Sequence, residues 1–122
     1  MVFKISCKDK NTRARIGILK TKKGNIETPF FMPVATKASV KMLSSDEILE
    51  LGAKAIISNA LILSLRDGAK IISKSGGIGK FMNYPKIIFT DSGGFQMYSK
   101  SIYIKSNNAG VFFKIAEFRI WA

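Results

Sequence analysis

Histidine is absent from the 122 residues, and cysteine occurs once, as Cys7. Without an imidazole, triads and dyads that depend on histidine are excluded, so acid–base chemistry here falls to carboxylates. One cysteine and no histidine cannot supply the four ligands of a self-contained zinc site, so no metal ligand is expected. A lone cysteine closes no internal disulfide, which agrees with a reducing compartment. Acidic side chains are scarce too, 8 against 20 basic ones. No apolar run approaches the roughly 18 residues of a membrane span. The first residues lack the apolar core of a secretion signal. A soluble, cytoplasmic chain with no membrane partner is the expectation. Internal repeats, low-complexity tracts and linkers are also missing.

What is present points to a packed fold. Hydrophobic residues make up 47% of the chain, enough for a core and too many for a disordered tail. The length fits one small domain or part of a larger one. The net charge of +12 favours a polyanionic partner, nucleic acid first, against the alternative of a solubility surface. Clustering favours the partner: residues 1–25 carry Lys4, Lys8, Lys10, Arg13, Arg15, Lys20, Lys22 and Lys23 against Asp9 alone.

Taken in order, residues 1–28 read as a β-rich entry segment, with a hairpin-type turn at Thr21–Asn25. Residues 29–98 read as β/α units. Pro29–Thr36 is a candidate core strand framed by prolines. Val40-Lys41 is either a loop near a nucleic acid or an ordinary exposed connection. Ser44-Ser45-Asp46-Glu47 opens a helix, with Ser44 and Glu47 as a capping box and Leu43 and Ile48 as a staple. Leu51 closes its apolar face and Gly52 follows its end. Ala53–Ile57 is a buried strand running into Ser58-Asn59. Apolar positions at helical spacing (Leu61, Leu65, Ala69, Ile72) are interrupted by Asp67-Gly68. Ile78–Met82 reads as a short turn before Pro85, and residues 86–89 as a third strand. The alternation of strands and helices is that of an α/β fold on a parallel sheet. Residues 99–122 read as an inserted β-hairpin turning at Asn107–Gly110, then a tail.

The most informative stretch leaves that third strand as Thr90-Asp91-Ser92-Gly93-Gly94-Phe95-Gln96. Paired glycines after a strand permit a close backbone approach to a ligand. A carboxylate at a strand's carboxyl end stands where α/β folds gather ligands. A polar turn would explain Asp-Ser-Gly-Gly equally well. Phe95 favours the ligand, because it suits stacking on a planar base, and Gln96 offers a donor and an acceptor to a base edge. Asn59, also at a strand end, would orient a carboxylate or ribose hydroxyl, or would cap a helix.

These residues resemble the signature of the tRNA-guanine transglycosylases, the queuine or archaeosine tRNA-ribosyltransferases. Thr12–Gly17, Glu27–Val34, Gly52–Asn59, Leu65–Gly68 and Gly76–Asn83 resemble further blocks of that family in the same order. The resemblance implies the N-terminal part of a (β/α)8 TIM barrel, a fold of typically about 250 residues. It implies exchange of a guanine in tRNA for a 7-deazaguanine base through a covalent intermediate on an aspartate. On this resemblance Asp91 is the proton acceptor, Phe95 the stacking surface, and Ser92, Gly93 and Gly94 the pocket lining. The family's nucleophile and its zinc ligands, three cysteines and a histidine, lie beyond the blocks matched here. The chain is therefore expected to be inactive alone, as an N-terminal fragment, a frameshifted product or a split half with a C-terminal partner subunit. A non-catalytic basic tRNA-binding subunit is the alternative. Departures are Asn59-Ala60-Leu61-Ile62-Leu63, where the family has Asn-Thr-Tyr/Phe-His-Leu, Arg66-Asp67-Gly68 for Arg-Pro-Gly, and the end after Lys114. The Asn-Ala segment resembles archaeal relatives, which leaves queuosine and archaeosine both open.

Overall fold

The computed structural model describes residues 1–65, 67–97, 99, 103–108 and 110–113. Arg66, Tyr98 and the divergent tail after residue 113 lie outside the described residues.

The entry segment is a three-stranded antiparallel sheet of β1 (Val2–Lys8), β2 (Arg15–Thr21) and β3 (Gly24–Glu27), in that order. The tight turn expected at Thr21–Asn25 joins β2 to β3, with Thr21 paired to Gly24. Along β3 only Ile26 is buried, at 1% exposure. It packs on Ala55 and Ile87, at the amino ends of the two strands that follow.

The expected strand at Pro29–Thr36 does not form. Val34 makes a single parallel bridge to Ile57, through Ala35 N to Ile57 O and Ile57 N to Pro33 O. Proline has no N–H to give a ladder, and Pro29 and Pro33 break this segment into non-strand backbone.

Helix α1 (Ser45–Glu50) begins as the sequence predicts. Ser44 Oγ accepts from Glu47 N at 3.2 Å, and Glu47 Oε2 accepts from Ser44 N at 2.7 Å. These bonds to Ser44 hold the Glu47 carboxyl below its ordinary value of 4.5. The helix ends in a Schellman motif: Ala53 N donates to Ile48 O and Gly52 N to Leu49 O, with Gly52 at φ +78. The same pair of bonds ends the helices α3 (Gly68–Lys74) and α4 (Ile78–Phe81), at Gly76 and Asn83. Leu51 does not close the apolar face; as the C-cap it stays 74% exposed, and Ile48 is the buried member. Ile78–Met82 is likewise a short helix with its cap, not a turn. The interruption at Asp67-Gly68 divides the expected helical stretch into α2 (Ala60–Ser64) and α3.

Strands β4 (Ala55–Asn59) and β5 (Ile87–Asp91) pair in parallel, in register from Ala55↔Ile87 to Asn59↔Asp91. Alternation along a strand sends successive side chains to opposite faces. Ile56 packs with Ala35, Ile48, Met82 and Tyr84 in one core, beneath the helices. Ala55, Ile87 and Phe89 turn the other way, onto Ile26. Tyr84 is fully buried, donates its hydroxyl to Ala53 O at 2.8 Å, and has its phenol pushed above 10.0 by burial. The hairpin of β6 (Tyr103–Asn107) and β7 (Gly110–Phe113) follows α5 (Gly94–Met97), as expected from the sequence. The described residues thus form a mixed α/β structure with a parallel strand pair.

Candidate functional site at the carboxyl ends of the parallel strands

Because β4 and β5 run in register, their last residues stand side by side. Asn59 and Asp91 share parity with Ala55 and Ile87, so both belong to the strand face opposite the helices. The amino end of that face is covered by Ile26, and its carboxyl end carries Asn59 and Asp91.

Asp91 is exposed and is the last residue of β5. Ser92 Oγ accepts from Gly94 N at 3.3 Å, closing the turn out of the strand. Gly93 is buried at φ +71, and a Cβ there would stand 2.5 Å from Leu61 Cβ and 2.8 Å from Asn59 Oδ1. Only glycine lets this backbone lie so close to β4 and α2. Gly94 opens α5, a single turn that carries Phe95 and Gln96. Phe95 is 89% exposed, a large apolar ring left outside the core of the described residues.

Asn59 is 4% exposed and joins three segments. Its Oδ1 accepts from Ile62 N at 2.9 Å, capping α2, so the capping role weighed from sequence is realised. Its Nδ2 donates to Gln96 Oε1 at 3.2 Å. The structure therefore gathers Asn59, Asp91, Ser92, Gly93, Gly94, Phe95 and Gln96 at one strand edge. Sequence reasoning missed the amide pair, since 37 residues separate its members. It also missed Ser58, whose buried hydroxyl donates to Ala35 O at 2.9 Å and ties the broken segment to β4. An isolated serine in an apolar run was the only signal for it.

The zinc ligands that the resemblance implies lie beyond the matched blocks, and one cysteine with no histidine does not make up that set. Cys7 is exposed in β1, and among the described residues no three His, Cys, Asp or Glu side chains converge. Nor is any helix of the described residues long and apolar enough to cross a membrane.

A family model described as queuine tRNA-ribosyltransferase matches residues 9–117. The chain is 51% identical over 112 residues to the queuine tRNA-ribosyltransferase of Caldanaerobacter subterraneus subsp. tengcongensis, covering 92% of this chain and 30% of that protein. It is 48% identical over 113 residues to the protein of the same name from Dictyoglomus turgidum, covering 93% of this chain and 29% of the relative. Against that of Prochlorococcus marinus strain AS9601 the identity is 46% over 112 residues, with 92% and 30% covered. The chain thus spans about 30% of the length of the relatives it matches.

Proposed function

The chain belongs to the queuine tRNA-ribosyltransferase family, and from that premise we propose that it is the N-terminal portion of a tRNA-guanine transglycosylase. Its role there is to receive the 7-deazaguanine base that replaces a guanine of tRNA, within the first units of a (β/α)8 barrel. One observation carries the reading: Asp91 lies exposed at the carboxyl end of β5, level with Asn59 and followed by the uncovered ring of Phe95. A carboxylate beside an exposed aromatic can hold a flat heterocycle and take its proton.

The chemistry divides between this portion and the rest of the relatives' length. A second carboxylate, from that remainder, attacks the ribose anomeric carbon and forms a covalent ester as the glycosidic C–N bond breaks; guanine leaves with that electron pair and takes its ring N–H proton from solvent. The incoming base then forms its ring N–C bond to the same carbon, the ester C–O bond breaks, and the ring N–H proton passes to Asp91. Ser92, Gly93 and Gly94 line the pocket and Phe95 stacks on the base. The names of the relatives support the queuosine branch over the archaeosine one. On this reading residues 1–122 are inactive by themselves and act, in the cytoplasm, together with a portion matching the rest of the relatives' length.

The experiment is exchange of labelled guanine into tRNA. The purified chain should show none, and robust turnover would refute its inactivity. A chimera in which residues 1–113 replace the matching portion of the Caldanaerobacter relative should exchange. A folded but inactive chimera would refute the assignment.

The net charge of +12 supports a second reading, a basic accessory subunit that binds tRNA and pairs with a separate C-terminal partner. It predicts tRNA binding by the chain alone, and a folded chain that retains no tRNA at low salt would exclude it.

A further inference from the structure

A glutamine side chain can meet a ligand as donor, as acceptor or as both, according to which end of its amide is already used. At this site the choice is made by a chain of bonds that starts at the backbone. Ile62 N–H can only donate, so the atom of Asn59 that faces it, at 2.9 Å, is Oδ1. That fixes Nδ2 as the group 3.2 Å from Gln96, and a donor there requires Oε1 of Gln96 as its acceptor. Neither amide can be turned over without setting two donors or two acceptors against each other. Packing holds the chain of bonds in place, because Asn59 is 4% exposed and lies against Gly93 with no room for a side chain between them. With Oε1 taken by Asn59, what remains of the Gln96 amide is Nε2, which can only donate.

We propose that Asn59 is a positioning residue that locks the Gln96 amide carbonyl-inward, so that Gln96 meets a ligand over Asp91 as a donor only. The site then offers one carboxylate acceptor at Asp91 and one amide donor at Gln96, and it selects a ligand edge bearing an acceptor beside its donors. A heterocyclic carbonyl or an unprotonated ring nitrogen satisfies this, and an edge of donors alone leaves Nε2 facing another donor. The inference rests on the reading of this strand edge as the base site, but the amide lock itself does not.

Two isosteric variants separate these statements. Asn59→Asp keeps an oxygen for Ile62 N but replaces the donor with an acceptor, so the Gln96 amide should turn and donate to the new carboxylate. Gln96→Glu keeps an acceptor for Asn59 Nδ2 but removes the outward donor. Side-chain amide NMR of the full chain reads the first effect. In the wild-type chain the Gln96 Nε2 protons should exchange freely with water. In Asn59→Asp one of them should move downfield and become protected, a change that mere loosening would not produce. Unchanged Gln96 amide signals in a folded Asn59→Asp chain would overturn the lock. Titration with 7-deazaguanine reads the second effect: both variants should weaken binding about threefold to tenfold, the range of one hydrogen bond. Equal affinity in wild type and Gln96→Glu would overturn the donor role. No binding by any chain, with the amide signature intact, would uphold the lock and remove this base as the ligand.

Discussion

Gly93 and Asp91 sit two residues apart and fail in opposite ways when changed. Gly93→Ala puts a methyl group against Leu61 and Asn59 at a φ of +71. The left-handed backbone alone costs about 1–2 kcal/mol for a residue with a Cβ, and the contact adds to it. A loss of at least that size in chemical denaturation is expected, and an unchanged midpoint would mean that the loop is not held as described. Asp91→Asn should leave folding intact, because the carboxylate is exposed and caps nothing among the described bonds. In the active chimera it should collapse base incorporation while tRNA binding persists, and near-normal exchange would remove Asp91 from the proton transfer. The residues flanking Asp91 were legible in the sequence because strand, glycine pair and aromatic are consecutive. The Asn59–Gln96 pair was not, because register between β4 and β5 brings it together, and register is a property of two segments.

At the level of single elements, the caps were the most legible features. Ser44 to Glu47 is a local device, three residues long, and it forms as read. Its pH dependence follows from the lowered Glu47 carboxyl. A folded value below the ordinary 4.5 means that the cap contributes fully above about pH 4.5 and is lost as pH falls through the depressed value. The prediction is a helix α1 that frays as pH falls through that depressed value, seen as faster amide exchange at Glu47 and Ile48, with Glu47→Ala removing that dependence. The strand expected at Pro29–Thr36 failed for an equally local reason, since two prolines leave too few donors for a ladder. Leu51 misled because helical spacing places a residue on a face but does not say where the helix stops.

For the whole molecule, two opposed properties are expected. The core is thin: Ile56, fully buried with Ala35, Ile48, Met82 and Tyr84, carries much of it. Ile56→Ala should cost about 2–5 kcal/mol, a large share of the stability of a small domain. Among the described residues no strand pairs with the outer edge of β5, so the isolated chain should self-associate on concentration. A monodisperse monomer with a cooperative thermal transition would contradict this. The charge of +12 acts at longer range. Binding of tRNA, where it occurs, should weaken on a log–log line as salt rises, while salt-independent binding would exclude phosphate contacts as its source.

The equal ending of β4 and β5 also limits how the chain can change length. A residue gained or lost within 55–59 or 87–91 shifts everything after it by one place along a two-residue repeat. Asn59 or Asp91 would then emerge among the helices, and the cap, the amide pair and the carboxylate would be lost together. Insertions in the connections between α2, α3, α4 and β5 carry no such consequence, because α3 and α4 are each ended by their own pair of C-terminal bonds before the chain runs on. Length variation in this portion should therefore collect in the connections, with the two strands holding a fixed count even where their side chains drift.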